Sequence, residues 1–386
     1  MGGDDIPKRK KRGLIKLVLL LVFFAVIAFL VGSLLTWSRT GSSWLTDLFS
    51  PRLPEITADE FNFNVGRERM FSNLDGFIAA VGTQGLKVLD ANGRETLRDS
   101  FRMSRPTIKS TGGRGIAFDI GGSSVRVFNS TQILSSIETD GSVVSASLNQ
   151  NGWFCIVTQE SGISRGIVTV YNSSGTGVFR ASKGTGYILS AGLSHDNKSL
   201  AILNYTGTGS RVSFYHGIDT DKDEPDHQFD YAGGLIVDIS YLANGDILAI
   251  STDSLFLIEH PGTGKMLYTY IDNRLGGYAY DGNFIVLHIY DYGIGYQGRL
   301  VTLRTDGTIL AEKSTGRDII SMSAADNSFV ILKNDGVLFL NDELEEFPAS
   351  DDNISAAGAS RVLAVKDGTA LATSDNSAVV VRRDID

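Results

Sequence analysis

A short turn-and-strand motif recurs eight times along this chain and constrains its fold more than any other feature. In each copy a tight polar turn precedes a run of β-forming residues, as Asp75-Gly76 precedes Phe77–Val81. The other runs are Gly115–Phe118, Trp153–Val157, Leu200–Leu203, Ile247–Ile250, Phe284–Leu287, Phe329–Leu332 and Val362–Val365. The first and last runs begin 362 − 77 = 285 residues apart, so the seven intervals average about 41 residues. A repeat of that length, made only of strands, predicts a β-propeller.

Each repeat divides into four strands, which we label a to d in chain order. In the fifth repeat we predict them at Leu235–Tyr241, Asp246–Ser251, Leu255–Glu259 and Met266–Ile271. The b strands are almost wholly apolar, which is typical of strands buried on both faces. No stretch from residue 58 onward shows a sustained helical period, so the predicted class is all-β with four-stranded blades.

The end of the chain leaves two arrangements open for the last blade. In one, its four strands come from Ile354–Ala359, Val362–Val365, Ala370–Thr373 and Ala378–Arg382. In the other, Glu60–Val65 from the start of the domain completes the blade, which pairs the two ends and removes an open sheet edge. We favour eight blades, with seven as the alternative.

The N-terminal region has the pattern of a membrane anchor. Residues 1–16 carry a formal charge of +4, because six basic residues oppose two acidic ones, and Leu17–Leu35 is uncharged. Nineteen helical residues span about 30 Å, the thickness of a bilayer core. Trp37 follows at the far end, where an indole prefers the interface. A cleaved signal peptide is the alternative, but its apolar core is shorter and needs a small-residue cleavage site.

This pattern predicts four segments and an orientation. They are a cytoplasmic basic tail (1–13), one transmembrane helix (14–37), an extracytoplasmic tether (38–57) and the propeller (58–386). Because positive charge stays on the cytoplasmic side, we expect a single-pass cell-membrane protein with its C-terminal domain outside. The chain beyond residue 16 carries −9 − 4 = −13. This strongly negative charge argues against nucleic acid as a partner.

The blade outline resembles known propeller families. The c–d turns Asn92-Gly93 and Asp306-Gly307 are similar to those of quinoprotein-like and WD-type repeats. The resemblance does not extend to quinone binding, since Trp153 is the only tryptophan beyond the tether. The whole layout resembles a family of uncharacterised membrane-anchored β-propeller proteins from anaerobic Gram-positive bacteria. That resemblance implies the fold and the anchor, and no established activity.

Two glycine-rich motifs imitate catalytic or nucleotide sites. Gly162–Gly166 fits the G-x-S-x-G pattern and Gly293–Gly298 fits G-x-G-x-x-G. Both patterns need a following helix, whereas here a strand is predicted to follow, so we interpret both as hairpin turns. The single Cys155 lies in an apolar run and is interpreted as a small buried hydrophobe. The five histidines show no zinc-ligand spacing.

An acidic segment is the only metal candidate. Asp219, Asp221 and Asp223 alternate as the first three ligands of a calcium loop do. Glu224 stands where such a loop has glycine, and Asp230 stands where it has a bidentate glutamate. A solvated acidic loop is the simpler interpretation, with a weak calcium site as the alternative. No other cofactor is expected.

Three enlarged b–c connections give the predicted binding surface. They are Gln159–Gly166, Asn204–Ser210 and Ile289–Gly298. In a propeller all b–c connections lie on one face, together with the d–a connections. The third one carries the candidate binding residues Tyr290, Asp291, Tyr292 and Tyr296. Tyrosines on glycine-rich loops suit contact with a peptide or a sugar.

Two functions follow from these observations. The first is an extracytoplasmic binding or scaffold module, anchored in the bilayer by Leu17–Leu35, with a cell-envelope protein or cell-wall glycan as its partner. The alternative is an extracytoplasmic enzyme acting on glycan at the centre of the ring. The enzyme requires carboxylates, histidines or tyrosines that converge at the central mouth, and it rests on analogy of fold.

Overall fold

A computed structural model describes residue 56 and residues 58–384, except for 161–165, 184–185, 219–221, 223, 261, 292–296, 317, 350–357, 367 and 375–376. These residues belong to one compact unit, Pro54–Asp386. No helix among the described residues is long and apolar enough to cross a membrane. The predicted span Leu17–Leu35 lies outside them.

The described chain forms 32 strands in eight antiparallel four-stranded sheets, so the predicted eight-bladed propeller is confirmed. The a strands are β2 Met70–Leu74, β6 Pro106–Thr111, β10 Ser142–Leu148, β14 Tyr187–Leu193, β18 Ile236–Tyr241, β22 Asn273–Tyr280, β26 Ile319–Ala325 and β30 Arg361–Lys366. The b strands are β3 Phe77–Gly82, β7 Arg114–Asp119, β11 Phe154–Gln159, β15 Ser199–Tyr205, β19 Ile247–Ser251, β23 Phe284–Asp291, β27 Ser328–Lys333 and β31 Thr369–Thr373.

The outer half of each blade consists of the c and d strands. The c strands are β4 Gly85–Leu89, β8 Ser124–Asn129, β12 Gly166–Tyr171, β16 Ser210–His216, β20 Ser254–Glu259, β24 Gly298–Arg304, β28 Gly336–Asn341 and β32 Ser377–Arg382. The d strands are β5 Glu95–Asp99, β9 Ile133–Glu138, β13 Gly177–Lys183, β17 His227–Tyr231, β21 Thr263–Thr269, β25 Ile309–Thr315, β29 Glu346–Pro348 and β1 Glu60–Asn62.

The ring closes through the first strand of the domain. The eighth sheet has the order β1-β32-β31-β30, and Phe61 of β1 lies opposite Ala378. Of the two arrangements left open by the sequence, the structure therefore has the one that pairs the domain ends. As a result the eighth apolar run, Val362–Val365, belongs to an a strand, and β31 is the eighth b strand. Phe61 and Phe63 are buried where the eighth blade meets the first.

The core lies between neighbouring blades. Buried side chains of the b and c strands of one blade pack on the a and b strands of the next, as Val168 and Cys155 pack with Ile188 and Leu200. Removing each such aliphatic side chain from water contributes about 1.5–3 kcal/mol. Cys155 is fully buried, as predicted, and burial raises the pKa of its thiol to about 11. The a strands of neighbouring blades contact each other, including β30 with β2, and they line the centre of the ring.

Tight turns between the a and b strands, two residues long in the first and seventh blades, explain the recurring motif. Asp75-Gly76 and Asp326-Asn327 each have two successive residues with positive φ, 49° and 90° in the first and 53° and 60° in the second. That geometry matches the right-handed twist of a hairpin and favours Asp, Asn and Gly. These turns lie with the c–d turns on one face of the ring, the a–b face. The d–a and b–c connections form the opposite face, the d–a face.

Candidate functional site

The predicted binding loop is only partly described. Tyr290 lies at the end of β23 on the d–a face, where its ring contacts the ring of His288 edge to face at 4.4 Å. Tyr292, Tyr296 and the side chain of Asp291 lie outside the described residues. The strands on both sides of this loop and of the Gly162–Gly166 segment form antiparallel hairpins, β23 with β24 and β11 with β12. A strand, and not a helix, therefore follows each motif, as predicted.

The candidate calcium ligands Asp219, Asp221 and Asp223 also lie outside the described residues, so that site stays a prediction. Beside them, Lys222 donates to Asp226 at 2.8 Å and to the His216 carbonyl at 2.6 Å. Across the described parts of the chain, no group of three or more His, Cys, Asp or Glu side chains has an arrangement that could hold a metal ion.

Five consecutive blades share an irregularity at the d–a end of their a strands. In β18, Ile236 pairs with Ser251 and Asp238 pairs with Ile250, so Val237 has no residue opposite. The same extra residue occurs in blades 3, 4, 6 and 7. These five bulge residues are Val144, Leu189, Val237, Gly276 and Ile320. A β-bulge re-aims the side chain that it carries.

Tyr290 covers the one bulge that lacks a side chain. A Cβ atom on Gly276 would lie 2.5–2.9 Å from Cε2, Cζ and Oη of Tyr290, which is too close for any real contact. The Tyr290 ring therefore occupies the space over the sixth blade's bulge. The five bulge positions thus carry Val144, Leu189, Val237, Ile320 and, over the glycine, the Tyr290 ring, and we call this set the apolar arc. Val144 and Leu189 are half-buried against the interblade core, whereas Val237 and Ile320 are exposed.

The exposed hydrophobic residues are concentrated on the same face. Val237 and Ile320 of the apolar arc are 41% and 47% exposed. Among the described residues, six of the eight large hydrophobics that are exposed lie at strand ends on the d–a face: Tyr187, Tyr205, Leu235, Val237, Ile271 and Ile320. The other two, Met266 and Ile309, belong to the outer strands β21 and β25.

The d–a ends of blades 8, 1 and 2 have a different chemistry. They surround a cavity of about 660 Å³ on the d–a face, and four arginines line it. These are Arg67, Arg69, Arg105 and Arg361. They come from the segments at or just before the starts of β2, β6 and β30. We call this feature the arginine cavity. The d–a face therefore has an apolar part in blades 3 to 7 and a basic part in the other three.

The central opening on the a–b face is polar and bears on the enzyme alternative. A cavity of about 640 Å³ there is lined by residues that include Asp238 and Asp281. Asp281 accepts backbone N–H groups from Asn283, Phe284 and Asn327, so it holds turns in two blades. Asp238 accepts the Tyr278 hydroxyl at 2.9 Å and the Ile239 N–H. Both carboxylates that line the described wall of this cavity are thus committed to structural hydrogen bonds.

Three histidines meet on the a–b face, although they are far apart in sequence. The ring centroids of His216, His227 and His260 are 4.6–5.9 Å apart. His216 Nδ1 bonds the Ser199 hydroxyl at 2.8 Å, while its Nε2 is buried without a partner among the described residues. Burial, followed by the neighbouring His260, lowers the pKa of His216.

Sequence reasoning missed the apolar arc, although a signal was present. Each bulge is part of a short pattern in which an apolar residue and the bulge residue precede a small or polar one. The copies are Val143-Val144-Ser145, Ile188-Leu189-Ser190, Ile236-Val237-Asp238, Leu275-Gly276-Gly277 and Ile319-Ile320-Ser321. In four of the five copies, two adjacent apolar residues break the period-2 alternation of a half-buried strand, and that break is typical of a bulge.

Comparisons with known proteins agree with this architecture. Residues 57–343 match the model of the family of unknown function DUF5711, so the chain belongs to that family. No curated protein matches the sequence significantly. The structure is similar to the C-terminal WD40 domain of Sif2, with a TM-score of 0.59 and 16% identity over 86% of this chain and 98% of that one.

It is also similar to BamB from Moraxella catarrhalis, with a TM-score of 0.50 and 14% identity over 84% of this chain and 96% of that one. At such identities the likeness shows the fold alone. The expected resemblance to WD-type propellers and to an uncharacterised family is confirmed.

Proposed function

We propose that this DUF5711 propeller is an extracytoplasmic binding module, tethered by Leu17–Leu35, that docks a partner protein of the cell envelope on the apolar arc. The observation that carries the proposal is the exposure of Val237 and Ile320, which bulges place at the mouth of the ring. Exposed apolar side chains that are concentrated on one face are typical of protein interaction sites.

The alternative causes of exposure fit less well. Exposed apolar residues that are scattered singly need no explanation, yet here most of them share one face. A bulge interrupts the regular pairing of its strand. Here a bulge occurs at the same position in five consecutive blades. Tyr290 supports the same assignment, because it supplies an amphipathic ring where the sixth blade has glycine. The partner that fits is a protein segment with apolar side chains.

A photocrosslinking experiment on native membranes tests the docking surface. A photoreactive phenylalanine analogue would replace Val237 or Ile320 in the full-length protein, and Met266 or Ile309 in the controls. The controls are equally exposed, at 51% and 48%, but lie on outer strands. We expect protease-sensitive adducts from the first pair only. Equal adducts from both pairs would refute the docking surface, and adducts degraded only by a glycan hydrolase would replace the protein partner with a cell-wall glycan.

The proposed orientation has its own test, which uses the single cysteine. Cys155 is fully buried and its thiol pKa is raised to about 11, so it gives no background with a membrane-impermeant maleimide. In intact cells we expect labelling of a Met266→Cys variant and none of an Asp4→Cys variant. The opposite result would place the propeller in the cytoplasm.

A further inference from the structure

The arginine cavity has a charge opposite to that of the domain around it. Its four arginines and one acidic residue, Glu68, give a formal charge of 4 − 1 = +3. The chain beyond residue 16 carries −13. Four like charges around one cavity repel each other, so their convergence on the d–a face costs free energy unless an anion joins them.

None of the four guanidinium groups has a carboxylate partner among the described residues. Arg361 Nη1 contacts the Met70 thioether sulfur at 2.6 Å, and Arg105 Nε donates to the Ile120 carbonyl at 2.9 Å. Arg69 Nε is buried with no hydrogen-bond partner in the described structure. A buried donor without a partner is rare, and a ligand oxygen that accepted its hydrogen bond would be stabilised there.

Elsewhere in the domain, arginines do form ion pairs with carboxylates. Arg98 pairs with Glu95 at 2.8 Å, and Arg180 pairs with Glu160 at 3.0 Å. The chain contains 44 acidic residues against 35 lysines and arginines. The cavity arginines therefore differ from Arg98 and Arg180 in having no carboxylate partner among the described residues.

The chemistry of the cavity selects a class of ligand. A guanidinium group binds phosphate or carboxylate oxygens through parallel N–H donors. A phosphate monoester carries about 1.5–2 negative charges at neutral pH and so matches a +3 cavity better than one carboxylate does. Phe71, Thr373 and Ser374 also line the cavity, and the hydroxyl groups of the last two donate to the backbone carbonyls of Arg361 and Ser377. The volume is within the range of small-molecule sites, about 300–1,000 Å³.

We propose that the arginine cavity is a binding site for a phosphate-bearing ligand, separate from the apolar arc and independent of its partner. The phosphate group is held by Arg67, Arg69 and Arg361, and Arg105 adds a further positive charge to the lining of the same cavity. The same chemistry is offered by a soluble phosphate ester and by the headgroup of an anionic lipid, and the experiment distinguishes these two sources.

Titration of the detergent-solubilised full-length protein with glycerol 3-phosphate and with pyrophosphate provides the test. We expect saturable binding that an Arg67→Gln/Arg361→Gln variant weakens at least about tenfold, because charge-assisted hydrogen bonds are lost. Both residues are exposed, so the variant should fold. The Arg98→Gln/Arg180→Gln variant is the control, since it removes the same charge from outer strands and should bind within about twofold of wild type.

A second arm uses vesicles of phosphatidylglycerol, with phosphatidylcholine vesicles as the neutral reference. Binding to the anionic vesicles alone, lost in Arg67→Gln/Arg361→Gln, would identify a lipid headgroup as the source. The proposal is wrong if neither soluble phosphates nor anionic vesicles bind, or if the control variant loses as much affinity. Crosslinking from Val237 should be unchanged in the cavity variant, so the failure of one proposal leaves the other standing.

Discussion

The two faces of this propeller use their polar groups in opposite ways. On the a–b face, side chains in or beside the turns bond to the neighbouring blade: Asn73 donates to the Val365 carbonyl at 2.7 Å, and Asn283 donates to Asn327 at 2.7 Å. On the d–a face, bulges interrupt the pairing, apolar side chains are exposed and arginines lack described carboxylate partners. The recurring Asx-Gly turns are therefore structural, and both proposed binding sites lie where the sequence repeats less clearly.

The largest expected effect is on the a–b face, at Asn149. This buried side chain donates to the Ser194 carbonyl at 2.8 Å and to Asn197 at 2.6 Å, and it accepts the N–H groups of Asn151 and Trp153. An Asn149→Ala variant should lose about 2–4 kcal/mol of unfolding free energy, since several buried groups lose their partners. Chemical denaturation measures this change.

The matched variant on the d–a face is Val237→Ser. It should change the unfolding free energy by less than about 0.5 kcal/mol, because the side chain is exposed. If Val237→Ser destabilises the domain as much as Asn149→Ala, the contrast between the two faces disappears.

An intermediate effect is expected where Tyr290 covers the glycine bulge. Gly276→Ala should cost about 1–2 kcal/mol, because the new Cβ would collide with the tyrosine ring and displace it. Tyr290→Ala should relieve the collision, so a double-mutant cycle should give a coupling energy of about 1 kcal/mol.

The control for this cycle is Gly192→Ala, which also lies in an a strand. Its Cβ would meet only the Tyr241 ring edge at 3.8 Å, an ordinary contact, so little change is expected. Additive effects of Gly276→Ala and Tyr290→Ala would show that Tyr290 does not fill the bulge position.

The smallest effect concerns pH and the histidines of the a–b face. Burial lowers the pKa of His216, while Asp226 opposes this shift and His260 and Lys222 add to it. The unfolded chain therefore takes up the proton first as the pH falls below about 6.5. The stability contributed by neutral His216 is present at pH 7.5 and is lost as the pH falls towards and through the lowered folded-state pKa.

A His216→Gln variant should consequently show a smaller drop in Tm between pH 7.5 and pH 5.5 than wild type. His288 has a pKa that burial lowers in the same way, and it is retained in both proteins, so part of the drop should remain. The assignment to His216 is refuted if the two proteins lose the same number of degrees over this interval.

The repeat alone predicted much of the architecture because its information is local. A turn residue that tolerates positive φ, followed by a β-forming run, specifies a hairpin without reference to the rest of the chain. The fifth repeat illustrates this: the strands predicted at Asp246–Ser251 and Leu255–Glu259 correspond to β19 Ile247–Ser251 and β20 Ser254–Glu259. The same local pattern also excluded a nucleotide site and a hydrolase site, because it predicted a strand after each glycine-rich motif.

Only the tertiary structure decided the closure and the candidate sites. Whether β1 or a late segment completes the eighth blade depends on a pairing between the two ends of the domain, which local sequence does not encode. A bulge is defined by how the residues of one strand pair with those of its partner strand, so it depends on the register between the two. Arg67 and Arg361 are 361 − 67 = 294 residues apart and meet because the ring closes. Sequence determined the blades, and the geometry of ring closure decided which side chains share a face.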